Sequence, residues 1–170
     1  MLTPLQVIGR GAVAGYAGMA AMVAALPVAK VIRNEDSQRL PLWSNTPPAA
    51  RVARRVIEGV AHRDVSRQNA DQLNYVMHGL YAPALGAAYA VVEASGKRRP
   101  LRHGLLFGGS VWCLRLALLP GLDLGSPFWD RSLRWNLVDA SLHLGFGVAV
   151  AYAYKFLEDR ADETAPDPAP

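Results

Sequence analysis

Four ionisable residues stand within or beside long apolar stretches of this 170-residue chain, and they are its best candidates for chemistry. They are His78, Arg115, Asp139 and His143. An ionisable side chain is costly in an apolar medium, and it is kept there when it pairs with a partner or serves a function. Histidine titrates near neutral pH, a neighbouring carboxylate changes its pKa, and both residue types bind metals. These residue types therefore fit ion pairing, proton exchange or metal binding.

The apolar stretches that must position these residues have the length of membrane-spanning helices. Residues 11–29 carry no charge, and as a helix they would extend roughly 28 Å, close to the hydrocarbon thickness of a bilayer. Arg115 is the only charge in the third stretch, and the fourth stretch includes Asp139. We therefore predict four spans, at about residues 5–30, 72–94, 101–120 and 137–157.

A soluble four-helix protein is the alternative, and the composition of the helix faces argues against it. Soluble helices carry charged residues on a polar face at helical spacing. Here the polar faces consist mainly of Gly, Ala, Ser and Tyr. The sequence therefore predicts an all-α integral membrane four-helix bundle, with one membrane domain over residues 1–157.

Two segments lie outside the predicted spans. In the loop 33–71, apolar residues recur at helical spacing over about 48–62 while arginines occupy other faces. This pattern predicts a short amphipathic helix on the membrane interface, and a helix packed over the end of the bundle fits it equally well. Residues 158–170 are acidic and rich in proline, a composition that predicts a disordered tail.

Antiparallel threading of the four spans brings the ionisable residues to one end of the bundle. We call the end with both termini end A and the opposite end B. His78 is then about 9 Å and Arg115 about 7 Å below the surface at end B. Asp139 starts the fourth span at end B, and His143 lies one turn further on the same helix face. The sequence thus predicts one polar intramembrane cluster.

Three interpretations of this cluster remain open. In the first, Arg115 pairs with Asp139 and the cluster is purely structural, because a buried guanidinium needs an anionic partner. In the second, His78 and His143 respond to protons beside the carboxylate. In the third, His78, His143 and Asp139 bind a metal, which the nearby Arg115 would oppose. The sequence has no HxxxH or HExxH spacing, so a metal is not expected.

Composition and motifs exclude several functions. The chain has no GxSxG, P-loop or CxxC motif, so we expect no enzyme and no cofactor, and an intramembrane metalloenzyme is kept only for its two histidines. The formal charge of +4 arises mainly in the connecting segments. It fits anionic lipid headgroups, not nucleic acid. Small residues at four-residue spacing, including Gly11 with Gly15 and Gly104 with Gly108, favour close helix packing, and no internal repeat is apparent.

The order of several short motifs resembles the YagU-like small inner-membrane proteins, a family named as a domain of unknown function. The motifs are Pro27, Pro47-Pro48, His78, Pro120-Gly121-Leu122, Pro127-Phe128-Trp129 and Ser141-Leu142-His143-Leu144-Gly145. The resemblance covers about residues 5–157. It implies a multi-pass protein of the bacterial inner membrane with cytoplasmic termini, an undefined activity and some association with acid tolerance.

The expected function is therefore that of a non-enzymatic membrane protein, structural or accessory, or related to pH stress. The alternative is a subunit of a small oligomeric transporter or channel for protons or a solute. Four short spans enclose little volume, so a conducting role would require a homo-oligomer. The expected partners are the lipid bilayer and, through the basic loops, anionic headgroups.

Overall fold

The computed structural model describes residues 3–33, 48–94 and 99–163, except for the side chains of Arg67, Ala70, Asp71 and Asp162. Most of the predicted loop before residue 48, the basic turn at 95–98 and the end of the predicted tail lie outside the described residues. The described residues form helices and connecting turns, with no strand among them. The α-helices are α1 (Pro4–Arg33), α2 (Pro48–Ala61), α3 (Ala70–Glu93), α4 (Pro100–Gly121) and α5 (Leu133–Glu163).

Four of these helices are long and apolar enough to cross a membrane: α1, α3, α4 and α5. This confirms the coarse prediction of an all-helical chain with four such helices. Helix α2 is amphipathic and packs against α3. Short 3-10 turns precede α3 and α5, at Arg67–Asn69 and Phe128–Asp130.

Local capping explains why two of the helices start where they do. Thr3 and Gln6 form a reciprocal capping box at α1, in which the Thr3 amide donates to Gln6 Oε1 (2.9 Å) and the Gln6 amide donates to Thr3 Oγ1 (3.3 Å). At α5, the Trp135 amide donates to Ser132 Oγ at 3.2 Å. This cap starts α5 at Leu133, before the predicted start near residue 137.

Two helices extend beyond the predicted spans at their C-terminal ends. Helix α1 continues through Pro27 to Arg33, whereas the predicted span ended at about residue 30. Helix α5 continues to Glu163, so the first residues of the predicted disordered tail are helical. The i, i+4 pair of Lys155 with Asp159 bridges the last predicted span residues to that extension.

Glycines bring two antiparallel helix pairs into backbone contact with the same geometry. In the first pair, α1 with α3, a Cβ atom on Gly86 would lie 2.1 Å from Gly11 O. In the second pair, α4 with α5, a Cβ atom on Gly147 would lie 2.2 Å from Gly104 O. Gly15 and Gly108 face the same positions. The Cβ added to Gly86 would lie 2.6 Å from Gly15 Cα, and the Cβ added to Gly147 would lie 2.7 Å from Gly108 Cα. Only glycine permits this approach.

The two helix pairs are therefore a structural repeat, which the sequence analysis missed. Gly11, Gly15 and Gly86 of the first pair correspond to Gly104, Gly108 and Gly147 of the second. The pairs join through α1 and α5, which also pack together. Because the equivalent positions share little beyond small residues, no repeat is visible in the sequence.

An aromatic core joins the helices towards end A. The rings of Tyr89 and Phe107 lie 5.2 Å apart, those of Tyr89 and Tyr154 6.0 Å, and those of Phe107 and Phe146 6.2 Å. Tyr89, Phe146 and Tyr154 are buried, together with Val150 and three alanines. Large apolar side chains on the outer helix faces are instead exposed.

Candidate functional site

The carboxylate of Asp139 is the centre of the polar cluster at end B. Asp139 is only 5% exposed, although it lies in the first turns of an apolar helix. Its Oδ2 accepts hydrogen bonds from Arg115 Nη1 at 2.5 Å and from Trp112 Nε1 at 3.1 Å. Its Oδ1 accepts from Arg33 Nη2 at 3.5 Å. We call these four residues the Asp139 network; it connects α1 and α4 to α5.

Arg33 and Trp112 belong to this network, and the sequence analysis assigned neither to it. Arg33 reaches Asp139 because α1 extends past the predicted span end. Trp112 lies almost one turn before Arg115 on α4, so both side chains share a face. A search for indole and guanidinium groups on the faces that point towards Asp139 would have found both.

A group of arginines surrounds the ring of Trp135 beside the network. The guanidinium carbon of Arg131 lies 3.7 Å from the ring centroid, that of Arg33 lies 4.5 Å away, and that of Arg115 lies 5.7 Å away. Guanidinium groups stack favourably on indole faces. Trp135 thus holds cations from α1, α4 and the loop before α5 at one place.

The surroundings of this arginine group lower the pKa values of one arginine in the loop before α5 and one arginine in α2. Burial lowers the pKa of Arg131 below its ordinary value, and the positive charge of Arg115 lowers it further, while Asp139 acts in the opposite direction. The charges of Arg33 and Arg51 also lower the pKa of Arg131. Burial likewise lowers the pKa of Arg51 on α2. Among the residues that the structure describes, cations therefore outnumber anions around Arg131.

The two predicted histidines do not join the side-chain network. His143 Nδ1 lies 2.8 Å from the backbone oxygen of Asp139, and His78 Nδ1 lies 2.8 Å from the backbone oxygen of Asn74. Each imidazole thus donates to a carbonyl one turn earlier on its own helix. The ring of His78 also contacts Tyr81, with the centroids 4.8 Å apart.

The structure does not bring His78, His143 and Asp139 together as metal ligands. Among the described residues no three His, Cys, Asp or Glu side chains form a group that could hold a metal ion. The physical reason is the bonding just described, because both carboxylate oxygens of Asp139 already accept from cationic or indole donors. The nearby guanidinium of Arg115 would also repel a metal cation.

A second polar contact lies at end A, where the sequence analysis assigned no cluster. The Glu93 carboxylate on α3 and His103 Nδ1 on α4 are 2.6 Å apart. The Glu93 side chain is 7% exposed and that of His103 is 30% exposed. This contact joins the first helix pair to the second at the end opposite Asp139.

Comparison of the chain with protein-family models, with curated proteins and with solved structures finds no match. The resemblance to YagU-like proteins, which rests on short motifs, therefore stays a prediction. The function has to be argued from the site and from the helix surfaces.

Proposed function

We propose that the chain is a multi-pass membrane protein with a structural or accessory role, in which the Asp139 network fastens α1 and α4 to α5. The observation that carries this proposal is one buried carboxylate that accepts hydrogen bonds from side chains of two other helices. Following the resemblance, we assign it to the bacterial inner membrane with cytoplasmic termini.

The distribution of side-chain sizes supports membrane insertion. The closest helix contacts are made by glycine and alanine, whereas many large apolar residues on the outer helix faces are exposed. Val31, Val92, Leu106 and Phe156, one from each long helix, are 79%, 76%, 60% and 57% exposed. Soluble monomers rarely expose large contiguous apolar surfaces, while membrane helices pack through small residues and present large ones to lipid.

The geometry at end B supports a structural role for the cluster over a conducting one. The cavity beside Arg115 and Trp135 has a volume of about 10 Å³, which is near the lower limit for one water molecule. Arg115 and Asp139 are in direct contact as an ion pair beside this cavity. A proton or solute path would need a longer row of waters or polar groups than this cavity holds.

Three measurements test the proposal. Alkaline carbonate extraction should leave the chain in the membrane fraction, and recovery in the soluble fraction would refute membrane insertion. Asp139→Asn should lower the thermal stability of the purified protein, whereas Asp123→Asn, an exposed carboxylate of the same end, should not. Proton or solute flux through proteoliposomes would contradict the structural role and favour the transporter alternative.

A pH-responsive form of this role is favoured by the position of His143. Its ring lies one turn from the Asp139 carboxylate, with Arg115 of α4 and Arg33 of α1 as the charged groups that act on it from other helices. A proton on His143 would add a third cation next to Asp139. His78 is the matched control, because its ring makes the same i−4 bond and the residue at that position is Asn74 instead of an aspartate.

This form is tested by the pH dependence of thermal stability between pH 5 and 8. His143→Gln should change that dependence and His78→Gln should leave it unaltered. An equal effect of both substitutions, or of neither, would reject the pH-responsive form and leave the structural role in place.

A further inference from the structure

Four guanidinium groups converge at end B, and we call them the arginine cluster. Arg33 and Arg115 reach it from α1 and α4, Arg131 comes from the loop before α5, and Arg51 comes from α2. Within the described part of the chain, Asp139 is the only carboxylate whose charge acts on Arg131. Among these described residues, four positive charges therefore face one negative charge.

Two members of the cluster have no anionic partner in the described part of the chain. Arg33 and Arg115 share Asp139, but neither Arg51 nor Arg131 pairs with a described carboxylate. Arg51 Nε is buried and lacks a hydrogen-bond partner among the described residues. A buried cationic donor without a partner is costly, so this arrangement favours an external anion.

The chemistry of the cluster selects the class of anion. The planar donor fork of arginine matches the tetrahedral oxygens of phosphate, and it binds them through paired hydrogen bonds. The surroundings limit where this anion can lie. The cavity between Arg115, Arg131 and Trp135 has only about 10 Å³. A phosphate group would therefore sit at the mouth of this cavity, at the end of the bundle.

We propose that the arginine cluster is a binding site for a phosphate group, carried by an acidic lipid headgroup or by a soluble phosphate. Trp135 holds the guanidiniums in place, and Arg51 brings α2 to the bound anion. The site goes beyond the structural role proposed above. It does not depend on that role, because the Asp139 network stabilises the bundle whether or not Arg51 and Arg131 bind an anion.

The test is the thermal stability of the purified full-length chain in a neutral detergent at constant ionic strength. Inorganic phosphate replaces chloride in one arm. In the other arm, phosphatidylglycerol in mixed micelles is compared with an uncharged glucosyl-diacylglycerol. We expect a saturable increase in melting temperature in at least one arm. An increase with phosphatidylglycerol alone identifies a lipid headgroup, and an increase with inorganic phosphate identifies a soluble ligand.

Arg51→Gln combined with Arg131→Gln should lower the affinity for the stabilising ligand by about tenfold or more. Each lost charge-assisted hydrogen bond is worth about 1.5–3 kcal/mol, and 1.4 kcal/mol corresponds to a tenfold change in affinity. Arg54→Gln combined with Arg134→Gln is the matched control. It removes two positive charges from the same end, but Arg54 pairs with Glu58 and Arg134 is exposed. The control variant should bind the ligand like the unmodified protein.

Arg131→Lys keeps the charge but removes the planar fork, so it should weaken binding of the ligand, measured as the ligand-induced rise above the variant's own melting temperature in chloride. This variant decides the matter if the double variant fails to fold. The proposal is overturned if neither ligand stabilises the protein, or if the control variant lowers the affinity for the ligand as much as the Arg51/Arg131 double variant does. Glu35 and Asp36 follow Arg33 closely in the sequence and lie outside the described residues. The proposal is also overturned if Glu35→Gln combined with Asp36→Asn strengthens ligand binding severalfold, because these carboxylates would then be the natural counterions.

Discussion

Asp139 holds the position in α5 that His78 holds in α3. Each residue lies eight positions before the glycine, Gly147 or Gly86, that contacts the backbone of the partner helix. The two helix pairs thus share a packing geometry but differ in charge at end B. In the second pair the carboxylate attracts Arg115, whereas Met22 stands at the corresponding position of α1. The repeat explains the shared packing of the two pairs, and the charge difference explains why the carboxylate of the end-B network belongs to the second pair.

The ion pair of Arg115 with Asp139 should respond unequally to single and double substitution. Asp139→Leu removes the carboxylate that two arginines share and should lower the free energy of unfolding by about 3–5 kcal/mol. Arg115→Met should cost less, because Arg33 and Trp112 still donate to Asp139. Removing both should cost much less than the sum of the two, because no charge of the pair is stranded. Unfolding of the four proteins in detergent by a chemical denaturant measures this cycle.

Additive effects in the cycle would contradict the pairing. Arg33 also contacts Asp139, so Asp139→Leu is expected to be the more damaging of the two single substitutions. Ser141→Ala is the control, since its hydroxyl bonds only to Leu137 O of its own helix and it is exposed.

The shared glycine contact should be equally sensitive in both helix pairs. An alanine Cβ at Gly86 or Gly147 would overlap the facing carbonyl oxygen, so the helices must separate. We expect Gly86→Ala and Gly147→Ala each to lower the free energy of unfolding by about 1–3 kcal/mol, as overpacking does. Gly145→Ala is the control, because nothing lies within 4 Å of its Cβ position. A loss at Gly145 as large as at Gly147 would reject close packing as the cause, because alanine has the higher helix propensity and should not destabilise an open helix position.

The helices could be predicted from the sequence because uninterrupted apolar length is a local property. The contact of Arg115 with Asp139 could also be predicted from the sequence, because antiparallel threading places both residues at a similar depth. Arg33 and Arg131 were not placed in the cluster for two different reasons. Helix α1 continues to Arg33, past the predicted span end at about residue 30, and the loop at Phe128–Asp130 has no periodicity from which its direction can be read. The two histidines were predicted to join the cluster from their depth and, for His143, from the helix face that it shares with Asp139, whereas their rings bond to their own helices.

Trp135 should contribute to stability through the cations around it. Trp135→Leu removes the indole face from Arg33 and Arg131 and should lower the free energy of unfolding by about 1–2 kcal/mol beyond the loss of packing. Trp135→Phe should have a smaller effect, because a phenyl face attracts cations less strongly. The control is Trp129→Leu, since Trp129 is 70% exposed. Denaturant unfolding of the three variants gives the comparison, and equal losses at both tryptophans would rule out a special role for Trp135.

Helix α2 should lose hydrogen-exchange protection at acidic pH, because Glu58 becomes protonated. The hydrogen bond from Arg54 holds the pKa of Glu58 below its ordinary value of 4.5, and the Val65 amide contributes in the same direction. A carboxyl group whose pKa is lower in the folded state stabilises that state above its unfolded pKa, and this contribution disappears as the pH falls through the folded value. The hydrogen-exchange protection factors of α2 and Val65 should therefore be constant from pH 7 to about pH 5 and fall below it. Glu58→Gln should lower these protection factors at pH 7 and remove their acid dependence, while Asp64→Asn, an exposed neighbour, should preserve it. An unchanged acid dependence in Glu58→Gln would assign the loss of protection to another group.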